Sequence, residues 1–135
     1  MTREIPYEIV NAHYVQEHIG EMPIVDVRPH EYYAAGHIPT AINISYGNAE
    51  KESVDRKEFV GKVLEGAFEA AGISKHDPVI VYCQSGYHAI LAGNVLAEED
   101  FDQLRIYEDS FGDWAKDPAH EVVKKESESA GGEGE

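Results

Sequence analysis

The clearest strand and helix signals of the chain meet in one segment, Val79-Ile80-Val81-Tyr82-Cys83-Gln84-Ser85-Gly86-Tyr87-His88-Ala89. It begins with a short apolar run rich in β-branched residues, which predicts a buried strand over 79–82. A small polar loop follows, and apolar side chains nearly all round residues 89–97 predict a largely buried helix. Cys83, the sole cysteine of the chain, therefore lies between a strand end and a helix N-terminus. Backbone N–H groups and the helix dipole there stabilise a thiolate over a thiol.

Strands and helices alternate along the rest of the chain. The predicted strands cover 7–10, 24–27, 41–44 and 104–107, and the predicted helices cover 12–19, 30–35, 55–71 and 112–115. Asp55 with Glu58 is typical of a helix start, whereas residues 45–52 are predicted to form a loop. This alternation predicts an α/β fold, with a central, mainly parallel five-stranded sheet flanked by helices on both faces.

Composition limits the classes of function. The chain has 135 residues, 42% of them hydrophobic, and a formal net charge of −15. This size fits one domain, predicted over 1–120, and the acid-rich residues 121–135 predict a disordered tail. The negative charge argues against nucleic acid or an anionic membrane as a partner. We find no secretory signal or apolar membrane span, and the lone cysteine fits a reducing compartment, so we expect a cytoplasmic protein.

Polar side chains follow two of the predicted strands. Cys83 comes directly after one strand, and Asp26 and Arg28 come at the end of another. Ligand sites in parallel sheets lie at the carboxyl ends of the strands, so these residues could be neighbours. Arg28 could pair with Glu31 on the surface, or it could donate bidentate hydrogen bonds to the carboxylate of Asp26 and support the cysteine loop.

The histidines do not suggest a metal site. His37 is expected to be a hydrogen-bonding structural residue. The others show no ligand spacing and no cysteine pair, so neither a metal nor another cofactor is predicted.

Three segments, in this order, resemble the signatures of rhodanese-like domains. Residues 24–44 (IVDVRPHEYYAAGHIPTAINI) are similar to the N-terminal signature of that family. Residues 83–89 (CQSGYHA) stand where the family carries its active-site loop. Residues 107–114 (YEDSFGDW) resemble the closing signature of the thiosulfate and mercaptopyruvate sulfurtransferases. The resemblance spans about residues 9–118, and it identifies residues 1–120 as a rhodanese-like domain.

The resemblance implies a sulfurtransferase. In that family a cysteine thiolate, here Cys83, takes the outer sulfur of a small donor and is left as a persulfide. A thiol, cyanide or a protein acceptor then removes the sulfur, which would give ping-pong kinetics. The same resemblance implies that residues 84–88 form the substrate-binding loop and that Asp26 and Arg28 support it.

Each loop residue also has a plainer interpretation. Gln84 and Ser85 could hydrogen-bond the donor or only shape the loop, and Gly86 permits a turn that a side chain would block. Tyr87 could control access or pack at the rim. His88 could move a proton, attract an anion or simply face water. Cys83 itself could be a buried structural thiol.

The loop departs from the thiosulfate type, which carries basic residues after the cysteine. Gln84 and Ser85 replace them, so a dianion would meet little positive potential, and we expect thiosulfate to be a poor donor. Mercaptopyruvate, a small persulfide and a protein persulfide stay open as donors. Phosphatases with a similar fold need arginine six residues after the cysteine, where this chain has Ala89. The stronger alternative is a non-catalytic rhodanese-like module for binding or redox sensing.

Overall fold

The computed structural model describes residues 6–52 and 57–124. Five strands form one sheet: β1 Glu8–Val10, β2 Ile24–Asp26, β3 Ile42–Asn43, β4 Val79–Tyr82 and β5 Leu104–Tyr107. Their order across the sheet is β1-β5-β4-β2-β3, and every neighbouring pair is parallel. This confirms the predicted parallel five-stranded α/β fold. It also brings the ends of β5, β4 and β2 side by side at the carboxyl edge.

Six helices are described: α1 Ala12–His18, α2 His30–Ala35, α3 Tyr46–Glu52, α4 Lys57–Ala70, α5 Tyr87–Glu98 and α6 Ser110–Trp114. None of them has the length and apolar character that crossing a bilayer requires.

Side chains of β4 alternate between two hydrophobic cores. Val79 and Val81 belong to a core that includes residues of α3, α4 and α5. Ile80 and Tyr82 belong to a second core, with residues of α1 and α6. This alternation follows from the two-residue repeat of a strand, and it places helices on both faces of the sheet. Cys83 lies on the first face, where α5 begins.

The prediction of a loop over 45–52 is wrong, because α3 occupies Tyr46–Glu52. Tyr46 and Ala49, three residues apart, are both buried against the first core. Two apolar positions are too few to produce a helical pattern in a short segment, so tertiary packing decides this helix. The predicted start of α4 at Asp55 lies outside the described residues.

The end of the described chain pairs with the segment between α2 and β3. His37 and Val123 form an isolated antiparallel bridge, with backbone hydrogen bonds in both directions. The indole Nε1 of Trp114 donates to the carbonyl of Glu121 at 2.9 Å. The predicted domain boundary at residue 120 stays a prediction, and the tail beyond Lys124 lies outside the described residues.

Candidate active site

The sulfur of Cys83 lies in a cradle of backbone N–H groups. Its side chain follows β4 and is only 2% exposed. The Sγ atom accepts hydrogen bonds from the N–H of Gly86 at 3.0 Å and of Ala89 at 3.3 Å. Both donors belong to the start of α5, which begins at Tyr87, two residues before the predicted position. An anionic sulfur is therefore stabilised by N–H groups and by the positive end of the helix dipole.

Gly86 is required by the shape of the loop. Its φ of +104° lies in the left-handed region, which favours glycine. A Cβ atom there would lie 2.3 Å from the carbonyl oxygen of Glu108. No side chain fits without moving the backbone that points its N–H at the sulfur.

We expect Gly86→Ala to lower the rate of Cys83 alkylation by iodoacetamide about 100-fold, by analogy with loss of one preorganised donor to an anion. The new methyl group displaces an N–H that holds the sulfur. Gly72→Ala is the matched control, because Gly72 also has positive φ (+87°) but has open space around its Cα. Equal alkylation rates for Gly86→Ala and Gly72→Ala would contradict the cradle.

A buried ion pair stands beside the loop. Asp26 is completely buried and Arg28 is 3% exposed. The carboxylate of Asp26 accepts these hydrogen bonds from Arg28. Its Oδ1 accepts the backbone N–H of Arg28 at 2.9 Å and Nε at 3.0 Å, and its Oδ2 accepts Nη2 at 2.7 Å. The structure thus pairs Arg28 with Asp26, which is one of the two arrangements predicted. The positive charge of Arg28 is largely neutralised by this contact.

Arg28 also connects three parts of the site. Its Nη1 donates to the side-chain oxygen of Gln84 at 3.0 Å, and its Nη2 donates to the carbonyl of Gly36 at 2.6 Å. The guanidinium lies over the ring of Phe111 at 4.3 Å. The predicted proximity of the β2 and β4 ends is therefore observed, with Gln84 as the direct link.

The segment after β5 supplies contacts that the sequence analysis did not identify. The N–H groups of Phe111 and Gly112 donate to the carbonyls of Cys83 and Gln84, each at 2.9 Å. The hydroxyl oxygen of Ser110 accepts the Cys83 N–H at 3.0 Å. The available signal was a small polar residue three positions after the end of β5, the strand that neighbours β4. It could not be used without the strand order.

Four of the loop side chains form an exposed rim. Gln84, Ser85, Tyr87 and His88 face solvent, and Tyr87 is 66% exposed. The His88 ring lies 5.6 Å from the ring of Tyr46, a residue of the unpredicted helix α3. The sulfur of Cys83 is itself buried, and the roles of the rim residues toward a substrate stay predictions.

His37 and its neighbours make stacking and hydrogen-bond contacts beside the site. The ring of His37 stacks on Tyr33 at 3.9 Å, and its Nδ1 lies 2.8 Å from the Tyr33 carbonyl. The Ile38 N–H donates to the Tyr82 hydroxyl at 3.1 Å. Burial, with the added charge of Asp26, raises the pKa of Tyr82 far above its usual value, so this phenol stays protonated. These contacts are structural.

The charges around the loop are mainly acidic. Glu108 and Asp109, which follow β5, are exposed, while the charge of Arg28 is neutralised by Asp26. In the part of the chain that the structure describes, no three His, Cys, Asp or Glu side chains form a group able to hold a metal. A cavity of about 510 Å³ opens beside Arg28, and Tyr32, Phe111 and Val122 help to line it.

Comparisons with known proteins agree with this geometry. A model of the Rhodanese-like domain family matches residues 11–117. A probable 3-mercaptopyruvate sulfurtransferase of Schizosaccharomyces pombe is 31% identical over 105 residues, which cover 69% of this chain and 35% of that protein. An HTH-type transcriptional regulator of Mycobacterium tuberculosis is 30% identical over 96 residues, covering 70% and 35% of the two chains. The chain therefore spans about a third of the length of these curated relatives.

Solved structures support the same fold. A human single-domain sulfurtransferase superposes with a TM-score of 0.65 at 22% identity, covering 86% of this chain and all of that one. At this identity the likeness concerns the fold.

Proposed function

The chain belongs to the rhodanese-like domain family, and from this membership and the site geometry we propose that it is a sulfurtransferase that carries sulfur as a persulfide on Cys83. The observation that carries the proposal is the pair of N–H groups from Gly86 and Ala89 on the Cys83 sulfur. Relatives named as sulfurtransferases add support.

The proposed reaction has two steps. In the first, the thiolate of Cys83 attacks the outer sulfur of the donor. A new S–S bond forms, and the electron pair of the broken bond leaves with the rest of the donor. In the second step an acceptor thiolate or cyanide attacks the outer sulfur of the persulfide, and the electron pair returns to the Cys83 sulfur. The N–H cradle stabilises the anion in both resting states of the sulfur.

Support of the loop is the proposed role of Asp26 and Arg28. The pair holds the β2 end against Gln84, so it acts on the position of the loop and not on the sulfur. Gln84, Ser85, Tyr87 and His88 are the proposed substrate-facing residues, since they are exposed around the sulfur. We also propose a cytoplasmic location, because a lone cysteine fits a reducing compartment.

The charge around the site favours donors with little negative charge. Arg28 is already paired with Asp26, and the neighbouring Glu108 and Asp109 are acidic. Within a protein of net charge −15, a dianion approaches against a repulsive potential. Small persulfides, mercaptopyruvate and protein persulfides are therefore preferred over thiosulfate, with a thiol, cyanide or a protein thiol as acceptor.

A donor panel tests the activity. The protein is incubated with thiosulfate, mercaptopyruvate or glutathione persulfide, and its intact mass is recorded before and after a thiol acceptor is added. We expect a gain of one sulfur atom with at least one donor, reversed by the acceptor, and the slowest uptake from thiosulfate. Because salt screens charge repulsion, uptake from thiosulfate should rise with ionic strength. Fastest uptake from thiosulfate at low salt would contradict the charge argument.

A redox-sensing module is the second candidate, and the similarity to a transcriptional regulator favours it. Such a module would use the same thiol without transferring sulfur. If no donor leaves sulfur on Cys83 but dilute peroxide adds oxygen reversibly, the sensing function replaces the enzymatic one.

A further inference from the structure

Ser110 is a buried hydroxyl group placed between two parts of the site. It is completely buried at the start of α6, three residues after the end of β5. Its Oγ accepts the N–H of Cys83 at 3.0 Å. The same oxygen lies 2.9 Å from the carbonyl oxygen of Tyr107 and 3.8 Å from the Cys83 sulfur, both within reach of its single proton.

The backbone of Ser110 has an unusual conformation for a residue with a side chain. Its φ of +64° lies in the left-handed region, where a Cβ atom is unfavourable and glycine is the usual residue. Glycine at this position would relieve the strain but remove the hydroxyl. A strained, buried polar residue in contact with a reactive group is a reason to look for a functional role.

The hydroxyl proton has two acceptors of different kinds. The carbonyl of Tyr107 is neutral, whereas the sulfur of Cys83 becomes anionic as a thiolate. Hydrogen bonds to an ionised acceptor are stronger than those to a neutral one. Rotation about the Cβ–Oγ bond of serine lets the proton follow the stronger acceptor, while the oxygen stays in place and keeps the Cys83 N–H.

We propose that Ser110 is a positioning residue for sulfur transfer, whose hydroxyl anchors the Cys83 backbone and turns its proton from the Tyr107 carbonyl to the sulfur when the sulfur is anionic. This inference rests on the proposed function, because it concerns the same thiol. It adds a third hydrogen-bond donor, from the start of α6, to the two N–H groups at the start of α5.

The test measures the pH dependence of Cys83 alkylation by iodoacetamide. Cys83 is the sole cysteine, so intact mass reports it alone. Both Ser110→Gly and Ser110→Ala remove the hydroxyl, but glycine relieves the positive φ and alanine keeps it. We expect the pH midpoint of the alkylation rate to rise in both by roughly 0.5 to 1 pH unit. A shift of this size corresponds to the loss of a partial hydrogen bond to the charged sulfur.

Two control variants separate the hydroxyl from general effects. Ser74→Ala removes an exposed hydroxyl before β4, at the opposite edge of the sheet, and Thr40→Gly relieves a positive φ of 69° at another exposed position. Both should keep the wild-type midpoint. The Ser110 variants leave the charged groups near the site unchanged: Asp26 at the end of β2, Arg28 after it, His88 on α5, and Glu108 after β5.

A role in backbone structure alone would change the limiting alkylation rate at high pH but not the midpoint. Midpoints equal to wild type in both variants would overturn the proposal. A shift in Ser110→Ala without one in Ser110→Gly would also overturn it, because strain and not the hydroxyl would then be the cause. The assay contains no sulfur donor, so its result is independent of whether the donor panel reveals sulfur transfer.

Discussion

Replacing Cys83 by serine is expected to lower the rate of sulfur uptake at least about a thousandfold, to the background of the uncatalysed reaction. A hydroxyl is a far weaker nucleophile toward sulfur than a thiolate, and no second cysteine is present to replace it. The measurement is intact mass during incubation with the best donor of the panel. Wild-type protein should gain one sulfur atom and the variant none.

The same variant keeps the geometry of the loop. A serine oxygen can accept the N–H groups of Gly86 and Ala89 that now donate to sulfur, so the thermal unfolding midpoint should change little. Cys83→Ala, which cannot accept them, should be less stable because two buried donors lose their partner. Sulfur transfer by Cys83→Ser at the wild-type rate would refute a covalent role for this residue.

Asp26→Asn is expected to reduce the free energy of unfolding by about 3–5 kcal/mol, because it leaves the buried Arg28 cation without a counter-charge. Asparagine keeps the size of the side chain, but its amide group presents N–H donors where the carboxylate accepted four hydrogen bonds from Arg28. A domain of this size has roughly 5–15 kcal/mol of stability in total, so the loss is severe. Urea unfolding at neutral pH measures it.

Asp102→Asn is the matched control for this substitution. Asp102 pairs with His76 at 2.7 Å, but both side chains are more than half exposed. Water solvates these groups once the charge is removed, so the urea midpoint should stay near that of wild type. Equal destabilisation by Asp26→Asn and Asp102→Asn would show that burial of the pair does not matter.

The local patterns of the sequence were sufficient for most secondary structure. The apolar run of β4 and the alternation of strands with helices predicted a parallel sheet, since these signals depend on neighbouring residues. Helix α3 was missed because its stability depends on the burial of Tyr46 and Ala49 against distant parts of the chain. Periodicity within seven residues carries little of that information.

The candidate site likewise has residues that local sequence indicates and residues that only the strand order reveals. Cys83 and the loop 84–88 could be identified by their position between strand and helix and by family resemblance. The contact of Arg28 with Gln84 joins residues 56 positions apart, so only the adjacency of β2 and β4 could establish it. Ser110 could not be predicted as a site residue, because its contact with Cys83 depends on β5 lying beside β4.

That a single thiol stands at a strand end before a helix follows from local strand, turn and helix signals. The surroundings of that thiol depend instead on how distant segments pack together. The order β5-β4-β2 gathers Ser110, Cys83 and the Asp26–Arg28 pair at one edge. The close approach of Gly86 to Glu108 makes glycine necessary there. Hydrogen bonds and steric contacts act over a few ångströms in space, whatever their separation along the chain.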